Sequence, residues 1–187
     1  MKKRRLGTAA AGAQFFIMGR KIIAFTFLII FIFAPLLLVP LYVFQIKDLR
    51  EGTVLYLEKV KPNFQFSLGF IHSVEHCPVW DYLKVNDNYQ MVTYATKFWS
   101  SRTGLPYTVF GDEIFRAEGN HFVIENMNRV IPSVNQWVDA TYDNTIRFAD
   151  GREFKLASLA GNTLLQMTIE QIRLGYYLYH KIKLSNG

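Results

Sequence analysis

Twenty-five consecutive residues, 22–46, carry no charge and are bounded by Lys21 and Lys47. At ~1.5 Å rise per residue, a helix of that length exceeds a hydrocarbon core of roughly 30 Å, so the run predicts a membrane-spanning helix. Pro35 and Pro40 each lack a backbone donor, and a kink or break is expected in its outer half. A cleavable signal peptide fits less well, because its apolar core is normally only about 7 to 15 residues and no small-x-small cleavage pattern follows. Lys2, Lys3, Arg4, Arg5, Arg20 and Lys21 precede the run, and no acid occurs before Asp48. The positive-inside rule therefore keeps residues 1–21 as a basic cytoplasmic tail and carries everything after Lys47 across a bacterial cytoplasmic membrane. Tyr42 and Phe44 then fall near the outer lipid interface.

The same flank accounts for the formal charge of +6: it holds six of the 21 basic residues, and the other 15 match the 15 acids. The exported part is neutral, which gives no case for a nucleic-acid surface. Cys77 is the only cysteine. That excludes an internal disulfide and any multi-cysteine metal site, and the residue is read as a partly buried small side chain.

After the anchor the pattern turns from continuous to alternating, the mark of half-buried strands. Phe64, Phe66, Leu68 and Phe70 recur at period two, and residues 54–60 form a strand before them across the turn Lys61-Pro62-Asn63. Residues 80–85 and 89–98 flank Asn86-Asp87-Asn88, and residues 145–148 and 153–156 flank Asp150-Gly151, two hairpin signals. Residues 122–125 and 136–142 are further strand candidates. Residues 163–172 are read as a strand, although Leu165, Ile169 and Ile172 also fit one helical face. The fold class is thus mostly β: a compact antiparallel sandwich or barrel-like domain over residues 47–173, following one transmembrane helix. Residues 174–187, with Tyr176, Tyr177, Tyr179 and Lys181, form an aromatic and basic tail suited to a membrane surface, a partner, or packing on the domain.

His72-Ser73-Val74-Glu75-His76 matches the H-x-x-E-H pattern of one zinc-protease class. That pattern needs a helix to bring the two imidazoles together, whereas here the alternation from Phe64 continues through it and Pro78 follows. In an extended chain the histidines would stand roughly 13 Å apart, so the match is read as coincidental. A strand turning at Pro78 would bring His72 near Glu75 and Asp81, as a polar network rather than a metal site. No nucleophile elbow, phosphate loop or dinucleotide fingerprint is present, so no enzyme and no cofactor are expected.

In order, Phe70-Ile71-His72-Ser73-Val74-Glu75, Pro78-Val79, Asp81, Phe98 and Gly104-Leu105-Pro106 resemble the domain-of-unknown-function family 1850, over residues 54–172. Asp81 stands where that pattern has Glu, and Arg102 lies where small residues are usual. Members commonly accompany TRAP transporters of the TAXI class, so the resemblance implies an accessory protein. Its expected partners are membrane lipid and the TAXI permease or substrate-binding protein, and it would act by contact. His72, Ser73, Val74, Glu75, Pro78, Asp81, Gly104, Leu105 and Pro106 would form the recognition surface or hold it in shape. The alternative is a small surface metal- or ligand-binding module using His72, His76, Glu75 or Asp81.

Overall fold

In this computed structural model the described residues are 23, 25–28, 31, 33–100, 108–139, 141 and 143–186. They form twelve strands: β1 (Pro40–Asp48), β2 (Val54–Lys59), β3 (Gln65–Ile71), β4 (Pro78–Val85), β5 (Met91–Phe98), β6 (Ile114–Glu118), β7 (His121–Glu125), β8 (Arg129–Ile131), β9 (Val134–Val138), β10 (Thr145–Phe148), β11 (Glu153–Lys155) and β12 (Thr163–Arg173). A C-terminal helix, Leu174–Ser185, follows β12 directly.

The smaller sheet runs β2-β1-β12-β9 and the larger β11-β10-β3-β4-β5-β7-β6, with β8 also on β5. Every pairing is antiparallel. Phe44 and Ile46 of β1 and Leu165 and Met167 of β12 meet Phe66 and Leu68 of β3, Leu83 and Val85 of β4, and Ile146 and Phe148 of β10 in one core. Two sheets closed over such a core make a sandwich. At one side Arg152, beside β11, donates to Glu58 Oε1 on β2 at 2.7 Å, tying an edge of each sheet to the other.

The turns follow the residues that signal them. Asn63 and Gly151 take positive φ of 66° and 89°, whereas between β4 and β5 the positive φ, 57°, falls on Tyr89 rather than on Asn86-Asp87-Asn88, and β5 starts at Met91 instead of 89. Asn86 Oδ1 accepts from Gln90 N at 2.8 Å to close that hairpin. The period-two face of β3 points inward as expected, with Phe66 and Leu68 in the core. The strand candidate at 136–142 lies earlier, at Val134–Val138, and β12 is a strand throughout Thr163–Arg173.

The helix expected over 22–46 is corrected at its C-terminal part. Residues 23, 25–28, 31 and 33 are helical, Pro35–Leu38 form one 3₁₀ turn, and from Pro40 the chain is a central strand. Residues 1–22, which hold the expected basic tail, lie outside the described residues. The break falls at the two prolines, and Pro40 sits at the first position of a strand, where its missing donor is tolerated. β1 reads as membrane-like because both its faces are covered. Phe44 and Ile46 face the larger sheet, while Leu41 and Val43 pack with Leu57 beneath Leu174, Tyr177 and Leu184 of the C-terminal helix. A strand buried on both sides has no polar alternation, so it continued the preceding apolar run without a seam. Tyr42 and Phe44 are accordingly not at a lipid interface: Tyr42 stacks on Tyr89 with ring centroids 3.7 Å apart, and Phe44 is fully buried. The domain begins at Pro40 rather than 47, and residues 174–185 belong to it as a packed helix. Among the described residues, no helix is long and apolar enough to cross a membrane.

Candidate functional site

The alternation of β3 ends at Ile71, and His72 to Cys77 fold into a compact turn instead of continuing the strand. His76 N donates to His72 O and His72 N to Cys77 O, both at 2.9 Å, with His76 at φ 49°. The His72 imidazole closes the inside: Nδ1 accepts from Glu75 N at 3.1 Å and from Val74 N at 3.3 Å. An imidazole nitrogen that accepts carries no proton, so the proton of the neutral ring is on Nε2. The strand alternation expected to continue through His72–His76 therefore stops at Ile71. His72 acts as a turn-closing side chain, much as Asn or Asp does in Asx turns. Pro78 then opens β4, paired with Ile71, and Val74 is left exposed at the tip.

Glu75 reaches out of the turn: its Oε2 accepts from Ser100 Oγ at 2.7 Å. Ser100 follows β5 and leads into residues 101–107, so the His72–Glu75 motif is bonded to the residue that begins the second motif's segment. Gly104, Leu105, Pro106 and Arg102 themselves lie outside the described residues. Cys77 is buried with Val79, Phe98, Ile124 and Met127 at this end of the larger sheet.

Asp81 does not join the turn. It stands on β4 opposite Thr96 of β5, whose Oγ1 donates to Asp81 Oδ1 at 2.7 Å. Burial pushes the Asp81 carboxyl up, against the smaller lowering effect of the Thr96 bond. The expected meeting of His72, Glu75 and Asp81 is thus replaced by two separate pairs, Glu75 with Ser100 and Asp81 with Thr96. Among the described residues no three His, Cys, Asp or Glu side chains stand close enough to share a metal ion.

Sequence reasoning missed the outer face of the same strands. Arg147 lies over Trp80 at 4.6 Å, Lys97 over Trp99 at 4.9 Å and Lys84 over Tyr94 at 5.7 Å. The Trp80 indole covers Gly69, its cross-strand partner, so closely that a Cβ there would stand 2.6 Å from Cζ2. The period-two spacing of Trp80, Tyr82 and Lys84 within a predicted strand carried that signal.

The geometry defines a β-sandwich module whose motif-bearing turn is fastened to the neighbouring loop. Residues 66–156 match the family model described as Domain of unknown function (DUF1850), which supports the resemblance drawn from the motifs. The match is narrower than 54–172. It runs from β3 past β11 and so includes the larger sheet, β9 and the His72 turn, leaving β1, β2 and β12 outside. Neither the search of curated proteins nor that of solved structures returned a match.

Proposed function

We propose that this chain is a membrane-tethered module which holds its β-sandwich on the outer side of a bacterial cytoplasmic membrane and acts by protein contact, as an accessory to a TAXI-type TRAP uptake system. The observation that carries the tether is the exposure of apolar side chains just before β1: Phe25 is 63%, Phe27 68% and Phe31 80% exposed, and Leu36, Leu37, Leu38 and Val39 are exposed too. Contiguous apolar surface of this kind is costly in water and suits lipid or a protein groove. With β1 assigned to the sandwich, the uncharged run that remains is residues 22–39. A helical rise of ~1.5 Å per residue up to Ala34 and ~2.0 Å per residue across the 3₁₀ turn Pro35–Leu38 would together carry the run about 28 Å, close to the thickness of a hydrocarbon core. The six basic residues before the run favour the inside for that end.

Tethering confines the sandwich to two dimensions and raises its effective concentration toward a membrane partner, so a small recognition surface suffices. The His72 turn suits that role. It is stiffened by its own imidazole, carries an exposed valine, and is bonded through Glu75 to the segment with the second motif. A TAXI permease or substrate-binding protein is the partner that the family resemblance favours. A photo-reactive residue at position 74, activated in native membranes, tests this directly. Crosslinks to a TAXI permease or binding protein are expected. Their absence, at normal abundance of the chain, overturns the partner assignment.

A further inference from the structure

The outer face of the smaller sheet changes character along its length. Its cross-strand pairs run Leu41 with Ile172, Val43 with Glu170, Gln45 with Thr168 and Lys47 with Gln166. The C-terminal helix seals the apolar end through Leu174, Tyr177 and Leu184. Past that seal, the helix and the polar end of the sheet enclose a cavity of about 230 Å³, lined among others by Gln45, Lys47, Gln166, Glu170, His180 and Lys183. That is below the usual range of roughly 300 to 1,000 Å³ for drug-sized ligands and well above the ~30 Å³ share of one water, so a small solute fits.

The charges around it do not balance. Neither Lys47 nor Lys183 takes part in any ion pair among the described residues, and Glu170 accepts instead from the Thr168 hydroxyl at 3.1 Å. Two ammonium groups against one carboxylate leave one positive charge uncompensated. His180 registers that surplus: burial first, and the Lys183 charge second, hold its imidazole below the usual range. Donors are also left over on the floor. Gln45, 5% exposed, uses one amide N–H on Thr168 Oγ1 at 3.3 Å, and Gln166 uses one on Asn135 Oδ1 at 3.2 Å. An amide nitrogen carries two protons, so each keeps a second.

We propose that this cavity is a binding site for a small monocarboxylate, held by Lys47 and Lys183 with the Gln45 and Gln166 amides as donors. Glu170 at the rim disfavours dianions and polyanions. The site lies on strands and a helix outside the residues that match the family model, so that match assigns nothing to it. It requires neither the tether nor the transporter partner.

The full chain in detergent, with acetate as the probe, tests it through the His180 ring resonances, assigned by comparison with His180→Gln. The charged and titratable groups around that ring are Tyr176, Tyr179 and Lys183 on its own helix, Lys47 on β1 and Glu170 on β12. An anion seated beside Lys183 offsets the charge that depresses His180, so acetate at constant ionic strength raises the His180 titration midpoint saturably. Lys47→Gln and Lys183→Gln each weaken acetate binding by about tenfold or more, as expected for losing a charged hydrogen-bond partner. Lys47→Arg retains it. No saturable shift in the native chain, the same shift with chloride, or an unchanged acetate affinity in the double Gln variant overturns the site.

Discussion

Phe44 and Phe66 meet across the sandwich with ring centroids 4.7 Å apart and planes tilted by 46°. Phe44 comes from the uncharged run that reads as membrane, and Phe66 from the strand that reads most plainly as domain core. Their contact assigns the end of that run to the sandwich. Phe44→Ala is expected to destabilise the domain by about 3–5 kcal/mol, the range for emptying a large buried side chain. Phe31→Ala, at a position 80% exposed, is expected to change it by less than about 0.5 kcal/mol. Urea unfolding of the full chain followed by tryptophan fluorescence reads both. Equal effects would remove β1 from the core.

The His72 turn predicts a difference between two small substitutions. His72→Ala deletes the acceptor of the Val74 and Glu75 N–H groups and costs about 1 kcal/mol, as loss of a comparable cap does. Asn places its Oδ1 on Cγ, where histidine has Nδ1, so His72→Asn keeps most of that stability. Hydrogen exchange at the two amides separates the variants: faster in Ala, near native in Asn. Equal protection in both would show that the ring does not close the turn.

Asp81 has a pH signature. Its folded-state carboxyl is raised above the ordinary 3.8 by burial. The native state therefore keeps a proton that the unfolded chain has already lost, and stability falls as pH rises through that window. Asp81→Asn removes the cost while its amide oxygen still accepts from Thr96. The variant is expected to melt a few degrees higher at neutral pH and to match the native protein in acid, where both states of Asp81 are protonated. A lower melting temperature at neutral pH would contradict this.

The turns were legible because Asn63, Asn86 and Gly151 announce them: the first carries the chain from β2 to β3, between the two sheets, and the other two close the β4–β5 and β10–β11 hairpins. β1 was not, since burial on both faces erases alternation, and β6 was not, since all its residues are exposed and none has to be apolar. The C-terminal helix hid for a related reason. Leu174, Tyr177 and Leu184 are inward while Leu178, Tyr179 and Ile182 are exposed, so apolar residues occur all round it. At the candidate site, the order His72 to Glu75 was visible in the chain, but the Ser100 contact spans 25 positions and no local pattern encodes it. The cavity beneath the helix is less visible still. Its parts come from β1, the β1–β2 turn, the start of β2, β12 and the helix, and they meet only once the sheet is paired and the helix is packed on it.

The placement of the sandwich outside the membrane is tested most directly by labelling a Val74→Cys variant in intact spheroplasts with a membrane-impermeant maleimide. Val74 is 61% exposed, and the one native cysteine, Cys77, is buried and gives little background. Labelling before lysis, equal in extent to labelling after it, is the predicted result. Labelling that appears only once the membrane is broken would put the sandwich on the inner side and contradict the account.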